Sequence, residues 1–393
     1  MSTKIHFKNT DNIVLSAKLE MPNGKPRAYA LFAHCFTCNK NLTAIRNIAR
    51  SLNEANIAVL RFDFTGLGES EGDFADTNFS SNVNDLIAAS HYLNDHYEAP
   101  KLLIGHSLGG AAVLFAASQI PSVEAVTTIG APASPDHVGH LFESQIKHIE
   151  GDEAAEVSIG GRPFRIKKQF LDDINSKNAK STIKNLNKAL LIMHSPQDTI
   201  VGIDNASELY TSAMHPKSFV SLDGADHLLS DKKDSIYVGS IIASWSTRYL
   251  TMAEIDTPSQ DFMRENMVSV QIGKDKYHTK IATGVHTMVA DEPISVGGQN
   301  LGPGPYDFLL SSLGTCTVMT LRMYADRKKW PLDKVTIHLN MSKVADGTLI
   351  TRYLLVEGDL DDKQRSRLVE IADKCPVHRT LESDIKIETI LES

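Results

Sequence analysis

A serine flanked by glycines is the strongest chemical signal in the chain. Ser107 lies in Gly105-His106-Ser107-Leu108-Gly109, between the apolar segment KLLI and the helical segment LGGAAVLFAASQI. A serine on a sharp strand-to-helix turn projects its hydroxyl out of a sheet, and the glycines leave room for neighbouring backbone. The backbone N–H of Leu108, at the start of the helix, can stabilise a developing oxyanion. We therefore predict a nucleophile at Ser107.

Two later residues have the chemistry that such a nucleophile requires, which is a base to take its proton and an acid to orient that base. His227 directly follows the segment SFVSLDGAD, and Asp198 follows ALLIMHSPQ. We predict that His227 is the base and that Asp198 holds its imidazole in the required tautomer. The other acids nearby are Asp204, Asp223 and Asp226. Asp226 is expected to point away from the base because it is its immediate neighbour.

A second oxyanion donor should come from the loop HCFTC, residues 34–38, which follows the apolar segment RAYALFA. The candidate is the backbone N–H of Phe36. Cys35 and Cys38 form a C-x-x-C pattern, which suits a redox switch or half of a metal site. It also suits two small residues in a tight loop. The sequence favours the latter, with no metal, because no further cysteine pair in this part of the chain completes a zinc site.

The two remaining cysteines lie far along the chain. Cys316 is in the mostly apolar segment SSLGTCTVMTLRMYADRK, and Cys375 is in ADKCPVHRTL, just before a proline. Two separated thiols can work as a pair in which one sulfur attacks a peroxide and the other resolves the product. One buried core cysteine and one loop cysteine would give the same pattern, and from the residues alone this is the simpler interpretation.

The composition is that of an ordinary globular protein. The 393 residues carry a formal net charge of -8, with 42% hydrophobic and 22% charged residues. A mildly acidic chain has no electrostatic reason to bind nucleic acid or an anionic membrane. The first residues are polar and alternating, no apolar run has the length of a membrane span, and four cysteines do not indicate a disulfide scaffold. We expect a cytoplasmic protein of two domains without a cofactor.

Short apolar segments rich in Val, Ile and Leu alternate with helical segments through residues 1–252. This alternation predicts an α/β domain with a mostly parallel sheet covered on both faces. Residues 134–188 interrupt it and contain AEVSIGGRPFRI, in which Gly160–Gly161 suits a hairpin turn. We interpret this insertion as a small lid over the site.

A polar stretch ends the alternation, and we predict a linker at 253–264. Residues 265–393 then show two antiparallel strand patterns (MVSVQIGKDKYHTKIA and VHTMVADEP) and a long helix, PYDFLLSSLGTCTVMTLRMYADRKKW. Two strands, a helix and a final strand, IKIETILES, follow. This change of pattern predicts a second, smaller domain.

Residues 1 to about 250 resemble the α/β-hydrolase superfamily, in particular its small esterases and acyl-peptidase-like members with a His-Gly-Phe-type loop. The resemblance implies a doubly wound, mostly parallel sheet. The site residues that it implies are Ser107 as nucleophile, Asp198 as acid, His227 as base, and Phe36 and Leu108 as oxyanion donors. The chain departs from the family at Cys35, where a glycine is usual. A Cβ atom there could tighten the oxyanion loop or restrict the acyl pocket.

Residues from about 265 to 393 resemble the OsmC/Ohr family of thiol-dependent peroxidases through DEPISVGGQNLGPGPYDFLLSSLGTC and ADKCPVHRTL. The resemblance implies an α+β fold and an intertwined homodimer. It also implies that Cys316 attacks an organic hydroperoxide, that Cys375 resolves the sulfenic acid, and that an external thiol reductant restores both.

The chain departs from this family where the thiolate is activated. The well-known peroxidases use an arginine from the first hairpin and a glutamate before the first cysteine. Here the hairpin KIATGVHTMVADEP has no arginine, and Tyr306-Asp307 stands where the glutamate is expected. The residues that could replace this pair are Glu292, Arg322 and Arg327.

These features predict a serine hydrolase that acts on short-chain carboxylic esters through an acyl-enzyme, joined to a domain that reduces organic hydroperoxides. Two alternatives stay open. The first domain could act on thioesters or acyl-peptides, and the second could be a non-catalytic dimerisation module. The expected partners are small molecules and a second copy of the chain.

Overall fold

The computed structural model describes residues 2–35, 38–159, 162–253, 267–274, 276–284, 286–345 and 347–392. The chain divides into two compact units, Met1–Thr257 and Pro258–Ser393. The predicted linker at 253–264 lies almost entirely outside the described residues, and so does the predicted turn at Gly160–Gly161. Among the described helices, none combines the length and apolarity needed to cross a lipid bilayer.

The first unit is built on one large sheet and one separate hairpin. Its strands are β1 (Ser2–Lys8), β2 (Val14–Glu20), β3 (Ala28–Ala33), β4 (Ile57–Phe62), β5 (Leu102–His106), β6 (Ala125–Ile129), β7 (Ala154–Ile159), β8 (Arg162–Lys167), β9 (Ala189–His194) and β10 (Lys217–Ser221). The sheet order is β1-β2-β4-β3-β5-β6-β9-β10. Within this order, each strand from β4 through β3, β5, β6 and β9 to β10 runs parallel to the next, whereas β2 is antiparallel to both β1 and β4. The predicted mostly parallel sheet is confirmed.

Helices cover both faces because the central strands are apolar on both sides. Along β3, Phe32 enters one core and Leu31 enters the other. The helices of this unit outside the insertion are α1 (Thr43–Glu54), α2 (Phe79–His96), α3 (Leu108–Ala116), α7 (Asp204–Ser212) and α8 (Lys232–Tyr249). Helices α1 and α8 pack in the core of Phe32, and α2 and α3 pack in the core of Leu31.

The insertion after β6 contains the predicted β7–β8 hairpin, whose strands pair antiparallel. It also contains a 3-10 segment and three short helices that the sequence analysis did not predict: Pro135–Gln145, α4 (Ile146–Asp152), α5 (Lys168–Asn175) and α6 (Ala179–Lys184). Asp173 fixes the insertion to the first turn of α2, because its carboxylate accepts from the Ser80 N–H at 2.6 Å and hydroxyl at 2.8 Å.

The second unit has separate small sheets and a long helix. Its elements are β11 (Val268–Ile272), β12 (Thr279–Thr283), β13 (His286–Ala290), α9 (Pro305–Lys328), β14 (Leu332–Val344), β15 (Gly347–Gly358), α10 (Asp362–Ala372) and α11 (Pro376–Leu381). Strands β11–β12–β13 form one antiparallel sheet, and β14 and β15 form another. Residues Leu321, Ala325 and Leu368 lie at the centre of a core between α9 and α10.

The predicted final strand IKIETILES is wrong for this structure. Residues 384–392 adopt neither helix nor strand, and Ile387 and Leu391 are 88% and 98% exposed. A strand requires a neighbouring edge that exchanges backbone hydrogen bonds with it. None of the described strands pairs with this segment, so its apolar residues remain uncovered.

A buried ion pair joins the residues after β3 to the end of β4. The Lys40 side chain is fully buried, and its Nζ lies 2.5 Å from Asp63 Oδ2 and 3.1 Å from Glu69 Oε2. Asp63 also accepts from the backbone N–H of Lys40 at 2.6 Å and of Glu69 at 2.9 Å. These contacts fix both side chain and backbone at residue 40.

Replacing Asp63 by Asn should lower the free energy of unfolding of the first unit by about 3–5 kcal/mol, because the buried Lys40 ammonium loses its closest counter-charge. Urea titration of the full chain in a Trp330→Phe background would report this through Trp245, which lies on α8.

The matched control is Glu208→Gln, which removes an exposed pair with Lys180. Exposed pairs contribute about 0–1 kcal/mol. Equal urea midpoints for the Asp63 and Glu208 variants would contradict a structural role for the buried pair.

Candidate active site

Ser107 occupies the turn between β5 and α3 with a backbone φ of 56° and ψ of -128°. A non-glycine residue holds such a conformation only when its surroundings enforce it. Two backbone bonds do so here. The Ser107 N–H donates to the Ile129 carbonyl at 2.9 Å, and the Ser107 carbonyl accepts from the Gly110 N–H at 2.8 Å. The turn therefore presents Ser107 at the carboxyl end of β5, as the motif predicts.

The glycines beside Ser107 are required by close backbone contacts. A Cβ atom on Gly109 would lie 2.4 Å from the His34 carbonyl oxygen, and one on Gly105 would lie 2.3 Å from the Gly109 carbonyl oxygen. Real Cβ atoms do not approach backbone this closely, because protein interiors are already packed to crystal density. The first turn of α3 thus lies directly on the backbone that follows β3.

His227 and Asp198 are hydrogen-bonded, with 2.7 Å between His227 Nδ1 and Asp198 Oδ2. The other oxygen of Asp198 accepts from the N–H groups of Ile200 at 2.8 Å and Val201 at 2.9 Å. Burial alone would raise the pKa of Asp198, but these hydrogen bonds outweigh it, so the pKa is lowered. Asp198 therefore stays ionised and orients the imidazole.

Gly130 provides the space for this pair. It follows β6 with a φ of 52°, and a Cβ atom there would lie 3.2 Å from Asp198 Oδ2 and 3.4 Å from His227 Nδ1. Among the alternative acids, Asp226 accepts from the Ser230 N–H at 2.8 Å rather than from His227.

His106 connects His227 to the serine turn, a role that the sequence analysis did not predict. Its Nε2 donates to the His227 carbonyl at 2.7 Å, and the two rings lie 5.1 Å apart. Burial, with a smaller contribution from the charge of His227, lowers the pKa of His106 to about 3. A neutral ring next to Ser107 thus fixes the backbone of His227. The sequence signal that could have predicted this role is the position of His106 inside the serine motif.

The loop after β3 carries the predicted second oxyanion donor, but Phe36 lies outside the described residues. Leu108 is the first residue of α3 and is buried, so its N–H belongs to the helix terminus that has no intrahelical acceptor. Cys35 and Cys38 form a disulfide. The sequence favours two small residues in a tight loop for this C-x-x-C pattern, and the structure adds a covalent bond between their sulfurs.

His34 holds the start of this loop. Its Nδ1 donates to the Cys35 carbonyl at 2.8 Å, and its Nε2 accepts from the Phe64 N–H at 3.4 Å. Burial lowers the pKa of His34, which keeps the ring neutral. A small cavity beside the loop is lined by Cys35, Phe64 and Leu108 among others.

The thiols of the second unit lie on adjacent elements. Cys316 is partly buried on α9, and Cys375 is fully buried at the start of α11. Cys375 Sγ accepts from the His378 N–H at 3.3 Å and lies 3.6 Å from Thr317 Oγ1. The structure thus places Cys375 against the immediate neighbour of Cys316.

Arg352 on β15 approaches this cluster and was missed by the sequence analysis. Its Nη1 donates to Thr317 Oγ1 at 3.3 Å and to the Ala372 carbonyl at 3.0 Å, and its Nη2 pairs with Asp373 at 2.6 Å. The sequence signal that could have found Arg352 is its spacing. It lies two residues from both Ile350 and Leu354, so the three side chains share the less exposed face of β15.

Arg322, one of the predicted substitutes for thiol activation, has other contacts, and so does Asp307, which stands where the family glutamate is expected. Arg322 donates to the carbonyls of Leu332 at 2.6 Å and Asp333 at 2.9 Å, so its guanidinium is committed to the start of β14. Asp307 accepts from the Gly304 N–H at 2.9 Å and caps α9. In the loop before α9, the backbone carbonyl of Glu292 accepts from the Asn300 N–H at 3.0 Å. Within the described residues, no group of three or more His, Cys, Asp or Glu could hold a metal ion.

Comparison with known proteins identifies both units. A family model described as serine aminopeptidase S33 matches residues 24–149, and one described as OsmC-like protein matches residues 297–390. Monoglyceride lipase of Rattus norvegicus is 29% identical over 119 residues, 30% of this chain and 39% of that protein. The mitochondrial palmitoyl-protein thioesterase ABHD10 of the same species is 33% identical over 105 residues, 27% of this chain and 33% of that protein. The chain therefore spans two fifths or less of the length of these curated relatives.

A solved structure extends the match to a larger share of the chain. The esterase domain of a Rhodothermus marinus protein is 48% identical, covers 63% of this chain and 99% of its own, and superposes with a TM-score of 0.53. Mouse ABHD10 shares the fold at 21% identity and a TM-score of 0.54, over 63% of this chain and 99% of its own. The resemblances and the fold class predicted from the sequence are confirmed. The chain belongs to the α/β-hydrolase family through its first unit and carries an OsmC-like domain in its second.

Proposed function

We propose that the first unit hydrolyses short-chain carboxylic esters through an acyl-enzyme on Ser107. The observation that carries this proposal is the 2.7 Å bond between His227 and Asp198, held beside the serine turn by His106. Since His227 Nδ1 is bound to Asp198, Nε2 is the nitrogen free to exchange a proton with Ser107. We place this hydrolase at residues 1–252 and the OsmC-like domain at 265–393.

In the proposed reaction, Ser107 Oγ attacks the ester carbonyl while His227 Nε2 takes its proton. Collapse of the tetrahedral intermediate breaks the bond to the alcohol oxygen, which receives that proton from His227. A water then attacks the acyl-enzyme with His227 again as base, and the carboxylic acid leaves. Asp198 stabilises the imidazolium in both halves. We assign the oxyanion to the backbone N–H of Leu108, with that of Phe36 as the second donor.

We infer a short acyl group from the residues that line the small cavity. Cys35 has a side chain at a position where glycine would leave space, and it lines this cavity together with Phe64 and Leu108. A narrow cavity favours short acyl chains. The alternative, a thioester or acyl-peptide substrate, is favoured by the family model described as serine aminopeptidase and by the relative named palmitoyl-protein thioesterase.

Replacing Ser107 by Ala should lower kcat/KM for 4-nitrophenyl acetate by at least about a thousandfold, because the nucleophile is removed. Asp198→Asn should cost about 10²–10⁴-fold through loss of the required tautomer. Release of 4-nitrophenol from its acetate, butyrate and octanoate esters, and of 4-nitrothiophenol from the matching thioesters, measures both the triad and the substrate class. Unchanged rates in the Ser107 variant would refute the proposal.

The contact between α3 and the loop after β3 gives a geometric test. Gly109→Ala should lower kcat by roughly 100-fold, because the new methyl group must displace the His34 backbone or the serine turn, and misplacement by about 1 Å costs this much. Gly151→Ala is the matched control, since nothing lies within 4 Å of its Cβ position. Circular dichroism establishes that both variants are folded. Equal activity of the two variants would count against the packing argument.

A second candidate function, reduction of organic hydroperoxides by the second unit, is favoured by the position of Cys375 against Thr317. The Thr317 hydroxyl donates to the Leu313 carbonyl at 2.8 Å, so its lone pairs can accept from Arg352 and from the Cys375 thiol. In the proposed reaction the Cys316 thiolate attacks the peroxide, an alcohol leaves, and Cys375 displaces water from the sulfenic acid to form a disulfide. A dithiol then reduces that disulfide. Two free thiols suit a reducing compartment such as the cytosol.

We also propose that the second unit forms a homodimer. The described part of this unit exposes apolar residues that an isolated domain would normally cover. They include Val268, Val270 and Ile272 on β11, Met319 and Met323 on α9, Tyr353 and Leu355 on β15, and Ile387, Ile390 and Leu391 near the C-terminus.

The Cys316→Ser variant should lose dithiol-dependent consumption of cumene hydroperoxide, whereas Cys375→Ser should accumulate a sulfenic acid that dimedone traps. Peroxide loss and mass spectrometry provide the measurements. If the wild type consumes peroxide no faster than Cys316→Ser, the dimerisation module is the better interpretation. If the second unit is such a dimerisation module, light scattering should show a dimer for the full chain and a monomer for residues 1–253.

A further inference from the structure

We propose that Cys35–Cys38 is a thiol–disulfide exchange site that takes dithiols, and that its bonded state sets the turnover of the serine site. The inference rests on the hydrolase function proposed above. The bridge joins Cys35 and Cys38, which flank in sequence Phe36, the residue proposed above as the second oxyanion donor.

The chain is anchored on both sides of this bridge. Before it, the Cys35 carbonyl accepts from His34 Nδ1 at 2.8 Å. After it, Lys40 is fixed by its backbone N–H and its ammonium to the Asp63 carboxylate. Between these anchors, the Cys38 N–H donates to the Cys35 carbonyl at 3.1 Å. The disulfide therefore adds a covalent link between Cys35 and Cys38, which lie between these two anchors.

A change in this loop would reach the serine. The His34 carbonyl lies 2.4 Å from the Cβ position of Gly109, on the first turn of α3. Cys35 and Leu108 line the same cavity. Because there is no side chain between loop and helix at Gly109, displacement of the loop cannot be absorbed by a rotamer change.

The two sulfurs differ in access. Cys35 is 3% exposed, and Cys38 is half-buried. A dithiol is therefore expected to attack Cys38 Sγ, forming a mixed disulfide while the bonding electron pair leaves on Cys35 Sγ, which is protonated. The second thiol of the reagent attacks the mixed disulfide and releases Cys38. Two electrons and two protons have then passed from the dithiol, which leaves as a cyclic disulfide.

Reduction should lower kcat and leave KM nearly unchanged, because the oxyanion exists in the transition state and not in the bound ester. Complete loss of one oxyanion donor costs about 10²–10³-fold. A loosened loop that still contains the donor should cost less, roughly 3–30-fold in kcat.

The experiment compares full-length oxidised protein with the same protein after treatment with dithiothreitol, using 4-nitrophenyl acetate as substrate. Alkylation and mass spectrometry establish whether residues 35 and 38 are bridged in each sample. The Cys35→Ser/Cys38→Ser variant should have the reduced kcat and no response to dithiothreitol. The Cys316→Ser/Cys375→Ser variant should retain the wild-type ratio of oxidised to reduced kcat. If the serine variant fails to fold, Cys35→Ala/Cys38→Ala replaces it.

Three results would overturn the inference alone: absence of the bridge in the oxidised protein, an unchanged kcat after verified reduction, or a response that survives in the Cys35/Cys38 variant. A different result identifies failure of the underlying function. If the oxidised protein hydrolyses the ester no faster than Ser107→Ala, the hydrolase proposal fails and the inference fails with it.

Discussion

Direct packing of the first turn of α3 on the backbone after β3 is the constraint on which the first unit depends. Gly109 permits it, because any Cβ atom there would overlap the His34 carbonyl. The contact fixes the helix start relative to β3, and Ser107 must then join β5 to that helix with a left-handed φ of 56°. Such a conformation costs about 1–3 kcal/mol. It persists because backbone bonds to Ile129 and Gly110 hold both sides of the residue.

The same buried environment produces opposite charge states in neighbouring groups. Asp198 is nearly inaccessible, yet its pKa is lowered, because His227 and two backbone N–H groups donate to it. His106 and His34 are also buried, but burial dominates and lowers their pKa, so both rings stay neutral. Each neutral ring then donates to a backbone carbonyl beside the site. A buried acid surrounded by donors remains charged, and a buried histidine facing a carbonyl becomes a fixed neutral donor.

The sequence predicts those features that a local pattern determines. Strands such as β3 and β9 are short apolar runs, and the serine motif needs only its strand-to-helix context. The features it misses depend on contacts between distant residues. The helices of the insertion are short and gain stability from packing against the rest of the unit, as Asp173 does with Ser80. Arg352 reaches Thr317 across a strand-to-helix contact 35 residues apart. A C-x-x-C pattern gives no information on whether its sulfurs are joined.

In the proposed homodimer, the unpaired C-terminal segment and the exposed apolar residues of the second unit would have one physical origin. Residues 385–391 contain β-branched residues, but a strand is stable only with an edge to pair with. In the first unit the central strands are covered on both faces by the unit's own helices, whereas Val270, Tyr353 and Ile387 in the second unit remain more than half exposed. In the proposed homodimer a second copy would supply both the missing edge and the missing cover. Formation of the C-terminal strand would then be a property of the dimer.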